Sequence, residues 1–486
     1  MFFGQFLDHN FVSTSIERNP ERLDIPVPRG DPVFENFTKL KFERSQRVPV
    51  VEGSKVERPI NSLSSAIDLA AVYSSDKKRL KRLRNGKSCF MRTSKGNFLP
   101  RNTFDLINDP NESDDFFLAG DVRSNENPAL TSLHTIFLRE HNLLCVELQK
   151  AYRTWTGDQL FLWARRINIA QMQKIVYEEF LPTITGMKFK TKKFDPTVNL
   201  AISDIFSTAA FRLGHTMVGE TLPRRGKGNK FLKSLEARYM FFRDANFFVS
   251  QGPEVFIRGT ISRTAQEVDT RVFDTLRTIL FANVEDLNDG IDLISLNLQR
   301  GRDHALPSYN TVRKIFGLRA VYKFSEVTKN QALASQLSTV YRNPNDMDLW
   351  IALLAEDHVK KASMGETMLR IWLEEFRRLN VGDRFFYTNP GLFSSQFRTA
   401  FPRINSILKG RYTMNRLILR TTKIKKSEIP KNVFINSMKS TSKPDKKSRK
   451  PKKPSKPKKP SKPKNTKKPK KPPSGKPKEP DPYDYR

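Results

Sequence analysis

Three short segments hold the residues whose types and spacing can do chemistry. The first is Gln5-Phe6-Leu7-Asp8-His9-Asn10. The second is AGDVRSNENP at 119–128, which carries Asp121, Arg123, Glu126 and Asn127 and leads into a stretch with His134, Arg139, Glu140 and His141. The third is AFRLGHT at 210–216, with Arg212 and His215. Histidine alone has an unperturbed pKa near neutrality, so His9 can accept a proton and hand it back. Arg123 carries a permanent charge that can steady negative charge developing on a reacting group. Each also has a plainer reading. Taken singly, His9 is an ordinary helix or cap residue, Arg123 a surface cation, and His215 a satisfied core histidine on an apolar helix expected over 206–218. Asp8 and Glu126 read singly as solvated or paired acids. His134 and His141, seven apart on one expected helix, invite a metal but read better as packing groups.

Rigid elements must bring these segments together, and the periodicity supplies helices. Over 129–150, Leu133, Ile136, Phe137, Leu144 and Leu148 repeat at three-and-four spacing. A second helix is expected over 160–180, stopped by Pro182, because a helix interior does not tolerate proline. Others are expected over 272–281, 331–341 and 366–379. Alternating strand patterns are scarce. The residues before Leu63 and those over 223–230, rich in Pro, Gly and charge, read as loops. The fold class is therefore mainly α. One large domain is expected over 1–420 with long irregular connections, then a linker over 421–440 and a tail over 441–486. The tail is Lys-Pro-Ser in near repeat and has almost no apolar residue. Such a segment cannot offset its ordering entropy by burial, so it is expected to be extended and disordered.

The formal net charge of the 486 residues is +35. About +15 of it falls in the tail, leaving about +20 on the rest. That balance favours acidic partners such as an acidic extracellular matrix or a carboxylated or sulfated polysaccharide. No base-reading or stacking motif accompanies the lysines, so no specific nucleic acid is expected. Cys89 and Cys145 can form one bridge or stay as two thiols. No apolar run is long enough to cross a bilayer, and the first residues do not form a signal peptide. Asn36-Phe37-Thr38 and Asn111-Glu112-Ser113 are glycosylation sequons.

Six ordered blocks, spread over residues 5–387, together resemble the animal haem peroxidases, the myeloperoxidase and peroxinectin group. They are Gln-x-x-Asp-His at 5–9, the AGDxRxNE block with HTxxxREHN, ARRxxxAxxQ with YEEFLP at 164–182, AFRxGH at 210–215, LNLQRGRDHALPSYN at 296–310, and FRRLxxGDRFFY at 376–387. The resemblance implies a large single-domain, mainly α peroxidase fold holding haem b. It implies hydrogen peroxide as oxidant, and phenols, tyrosines, iodide or bromide as reductants. His9 becomes the distal base, Arg123 its cationic partner, and Gln5 a hydrogen-bonding group for distal water or halide. His215 becomes the axial ligand of the iron, with Asn297 behind it, and Arg300 and Arg212 address the propionates or that hydrogen-bond network. Arg302, Asp303 and His304 are structural. Asp8 and Glu126 match positions that esterify haem methyl groups. Where the myeloperoxidase type forms a sulfonium link through methionine, this chain has Asn127, which disfavours chloride oxidation. Asn10, Ser64, the Ala66 carbonyl and Asp68 are a degenerate calcium loop, one carboxylate and one hydroxyl short, so calcium is in doubt. Family members carry a stretch before the distal histidine, and the match here begins at Met1, so the N-terminal part is expected to be missing. The implied setting is secreted and extracellular, with a calcified matrix such as mollusc shell suggested by the Lys-Pro tail. The rival reading is a peroxidase-fold structural matrix protein of little or no activity.

Overall fold

The computed structural model describes every residue except 17–19, 35–36, 49–56, 279–291, 411 and 437–486. The tail, Asn36 of the first sequon, and the last residues of the helix expected over 272–281 lie outside the described residues. Within that helix, Asp274–Thr278 is helical. Helices dominate, and three two-stranded antiparallel ribbons are the only sheets among the described residues.

The helix Pro128–Ala151 starts where its sequence dictates. The Asn127 side chain accepts the Leu130 N–H, and Pro128 occupies the first turn, where no N–H is needed. Its neighbour Gly157–Ile175 opens on a capping box between Thr156 and Gln159. The short helix Phe2–Phe11 packs on Pro128–Ala151 and on Ala70–Tyr73, burying Phe3, Phe6, Leu7, His9, Asn10 and Phe11. Cys89 and Cys145 are joined as a disulfide, which settles the question their sequence left open.

Four expectations are corrected. Pro182 does not stop the second helix. The turn widens to a π-helix over Val176–Phe180, and Leu181–Thr185 continues from it, ending at Gly186 with φ +68°. Pro182 thereby falls in the first turn of the final segment, where its missing N–H and its ring do least harm. The expected helix over 206–218 is broken at Ala209 (φ −125°, ψ −69°) into Asp204–Thr208 and a 3₁₀ turn, Ala210–His215. The Ala210 carbonyl is taken instead by the Trp372 indole N–H at 3.1 Å. The stretch 223–230 is not a loop throughout, because Thr221–Arg225 pairs with Phe231–Glu236, and the register shifts around Pro223, as a proline in a ladder requires. Finally, residues past 420 are packed. The compact unit runs Met1–Met438. Ile424 and Ile429 are buried, and Arg258 Nε meets Glu428 Oε1 at 2.9 Å with both side chains 5% exposed.

Candidate active site

Helical spacing decides what Phe2–Phe11 offers. Phe6 and Leu7 enter the core, while Gln5, Asp8 and His9 line a cavity. Arg123 stands beside them on the turn that precedes Pro128–Ala151. Its Nε and Nη2 donate to Asp121 at 2.9 and 2.8 Å, and Nη2 also reaches the Val12 carbonyl at 3.0 Å. Asp121 Oδ1 lies 3.5 Å from His9 Nδ1. A carboxylate at that nitrogen favours the proton there and leaves Nε2 as the basic atom. Burial disfavours the charged Asp121, but the charge and hydrogen bonds of Arg123, with His9, hold it well below the usual carboxylate range. Burial, reinforced by the Arg123 charge, drives His9 well below its ordinary pKa against the pull of Asp121, so His9 is neutral and ready to accept a proton.

Gln5 is held at both ends. Its Nε2 donates to Glu126 Oε1 at 2.8 Å, and its Oε1 accepts from Asn127 Nδ2 at 3.0 Å. Asn127 therefore works twice, as helix cap and as clamp on Gln5. Asp8 is pushed up to about 6 by burial, against Arg123 and Arg212. Glu126 rises to about 7, burial again outweighing Arg123 and the Gln5 hydrogen bond.

The 3₁₀ turn delivers His215 to the same cavity. Asn297, on the helix Leu293–Asp303, places its amide nitrogen 2.8 Å from His215 Nδ1, and its oxygen accepts from Arg212 Nη1 at 2.6 Å. Burial, then the Arg212 charge, lowers His215 to about 3, so its ring is neutral, as a metal ligand must be. The cavity measures about 730 Å³, and its lining includes Gln5, Asp8, His9, Arg123, Glu126, Arg212, His215 and Asn297. That donor set fits a flat anionic iron chelate: a neutral imidazole for the metal, the half-buried guanidinium of Arg212 for a carboxylate, and the half-buried carboxyls of Asp8 and Glu126.

Residues 1–434 match one family model, animal haem peroxidase. The chain is 34% identical to peroxinectin A of Dictyostelium discoideum over 408 residues, covering 80% of this chain and 76% of that protein. Human myeloperoxidase is 32% identical over 461 residues, covering 83% of this chain and 60% of the relative's length. The chain belongs to the animal haem peroxidase family. The solved structure of Dictyostelium peroxidase A superposes with a TM-score of 0.80 at 31% identity, covering 89% of this chain and 85% of that one. A plant fatty acid α-dioxygenase at 17% identity and TM-score 0.74 shares the fold.

Within this peroxidase domain, not every expected residue reaches the cavity. Arg300 is absent from its lining. Its Nη1 is spent on Ser45 Oγ and Asp303 Oδ2, both at 2.8 Å, and its guanidinium lies 4.2 Å over the Phe42 ring. Of the two, Arg212 lines the cavity and donates to Asn297. Asp303 also takes Arg44 and Arg47, while His304 is fixed between Ser45 and Thr208. His141 is held by Tyr73 and the Cys89 carbonyl, and His134 packs edge-on against Phe6. Asn111 of the second sequon is exposed. The four residues of the degenerate calcium loop lie together. Asn10 turns its amide N–H onto the Ala66 carbonyl at 2.8 Å, Ser64 Oγ takes the Ala66 N–H at 3.2 Å, and Asp68 takes the Ala70 N–H at 3.0 Å. These groups bond to one another with a single carboxylate among them and leave Asn10 Oδ1 buried without a partner, where calcium prefers six to eight hard oxygens. Asp121 is named in the block AGDVR, but the sequence assigns it no role of its own. The signal was there, two residues before Arg123.

The raised carboxyl of Glu126 makes a test on cofactor-free protein. The group titrates at 4.5 when exposed to water in the unfolded chain and at about 7 in the folded one. Its contribution to stability is thus complete below pH 4.5 and lost as pH rises through 7, on the order of 3 kcal/mol in all. The unfolding free energy of wild type should therefore fall relative to Glu126→Gln between pH 4.5 and 7.5 in denaturant titrations. A constant difference across that range would refute the assignment.

Proposed function

We propose that this protein binds haem b between His9 and His215 and uses hydrogen peroxide to oxidise phenols, tyrosines, iodide and bromide. One observation carries the reading: an anchored arginine and a neutral imidazole share a single cavity with a second neutral imidazole backed by an amide. Bound haem would supply the redox chemistry, giving electrons to peroxide and regaining them from the reductant. The chain does the rest. His9 takes a proton from peroxide at Nε2 and returns it to the departing oxygen. Asp121 keeps the opposite nitrogen protonated and fixes Arg123, whose charge meets the negative charge that develops as the O–O bond breaks. His215 holds the iron, and Asn297 and Arg212 fix its ring. Asp8 and Glu126 are the groups able to form esters to the ring, and their raised pKa values keep each partly protonated near neutrality. Asn127 offers no thioether, so no sulfonium link forms and chloride is a poor substrate.

The site is complete rather than decayed, which favours an enzyme over an inert matrix protein. The disulfide suits an oxidising compartment outside the cytosol. No described helix is long and apolar enough to cross a membrane. The basic tail would hold the enzyme on acidic polysaccharide or acid-rich mineral matrix, with an affinity that falls as salt screens the contacts. One comparison tests the reading as a whole: the full chain against a chain lacking 441–486. Both should show a visible spectrum that changes on adding peroxide and should oxidise iodide and small phenols far faster than chloride. Only the full chain should be retained, salt-sensitively, on sulfated polysaccharide. Efficient chlorination near neutral pH, or equal retention of the two, would overturn the corresponding part.

A further inference from the structure

An unbroken run of aromatic rings leads away from the cavity. Trp372 lines the cavity wall and is 1% exposed. Its ring lies 5.5 Å from Phe376, which is 6.1 Å from Tyr177. Tyr177 lies 4.9 Å from Phe386, which is 5.0 Å from Tyr387. All five rings are buried, and ring centroids at these separations are in packing contact. The polar groups of these rings differ in what they face. Tyr177 donates to the Phe376 carbonyl at 2.6 Å, and the Trp372 indole donates to the Ala210 carbonyl. A backbone carbonyl is too weak a base to keep a proton, so a ring oxidised at either place cannot lose one and cannot settle. Tyr387 donates to Glu178 Oε1 at 2.7 Å. Glu178 is a carboxylate whose side chain is 44% exposed, with Lys174 2.5 Å from the same oxygen. Here the proton has an acceptor and an exit to water. Tyr309 and Tyr341 also face carboxylates, Glu356 and Asp348, but among the described residues no run of rings joins either to the cavity.

We propose that Tyr387 is a second oxidation site, coupled to the cavity through Trp372, Phe376, Tyr177 and Phe386, at which phenols too large to enter the cavity are oxidised. The proposal rests on the peroxidase reading above, with hydrogen peroxide as oxidant. One electron leaves Tyr387 for the oxidised cofactor, and its phenolic proton passes to Glu178, giving a neutral tyrosyl radical. A phenol at the surface beside Glu178 and the exposed Phe385 then returns one electron and releases one proton, restoring Tyr387 and Glu178. Two such events per peroxide yield two phenoxyl radicals, and the two protons and two electrons end in two molecules of water.

The test uses full-length, haem-loaded protein with two probes, free tyramine and tyramine coupled to a dextran too large for the cavity. After peroxide, a nitroso spin trap followed by peptide mass spectrometry should find an adduct on Tyr387. Tyr387→Phe should lose that adduct and oxidise the dextran conjugate about tenfold more slowly, while free tyramine turns over at the wild-type rate. Glu178→Gln, which keeps the Tyr387 ring and its packing, should show the same split, and decides the matter if Tyr387→Phe folds poorly. Wild-type rates on the conjugate in both variants, or no adduct on Tyr387, would overturn the proposal. A wild-type protein that fails on free tyramine as well would overturn the peroxidase reading beneath it.

Discussion

His215→Ala should purify without haem and should not regain a haem spectrum when haem is added, while its circular dichroism stays that of the cofactor-free wild type. Only His9 and His215 among the cavity-lining residues carry an imidazole, and His9 has Asp121 at its Nδ1. Nothing replaces the lost ligand. Asn297→Ala should keep haem but hold it about ten- to a hundredfold more weakly and at an altered potential, because the amide that orients the ring is gone. Haem titration and a spectroelectrochemical midpoint measure both effects. A His215→Ala protein with the wild-type spectrum would place the iron elsewhere.

His9→Ala and Arg123→Ala should leave haem bound and slow its reaction with peroxide by about a hundred- to ten-thousandfold, the usual worth of positioned acid–base help. Stopped-flow mixing with peroxide follows it directly. The two variants should differ in stability. Arg123→Ala strands the buried Asp121, whereas His9→Ala removes a neutral ring, so the arginine variant should melt at the lower temperature. The pH profile has a set sign. The working form of His9 is neutral and its pKa lies well below 6.5. The wild-type rate should therefore stay level through pH 6.5 and decline only on further acidification. A rate that halves near pH 6.5 would mean that another group supplies the base, as would unchanged rates in both variants.

What the sequence determined by itself is local. A three-and-four spacing put Gln5, Asp8 and His9 on one side of a short helix, Asn127 and Pro128 opened the long helix after Arg123, and six ordered blocks carried the family. These follow from backbone hydrogen bonds and side-chain periodicity, which act over a few residues. Tertiary structure decided which polar groups meet. Gln5 and Glu126, 121 positions apart, are joined end to end. Asp121 faces His9 and Arg123 together, although the sequence shows it only as one more acid in a polar turn. Arg300 and Arg212 read alike in the sequence, yet Asp303 and Ser45 draw Arg300 away from the cavity and leave Arg212 to Asn297. Pro182 read as a stop, but a widened turn upstream lets the helix pass it. Residues 421–440 read as a linker. Burial of Ile424 and Ile429 and the Arg258–Glu428 pair make residues 421–436 part of the domain, with Val433 and Phe434 in the cavity wall. Periodicity shows which face of an element is apolar; only the packed chain shows which charges find each other across it, because a buried charge is stable only beside a partner supplied from elsewhere in the fold.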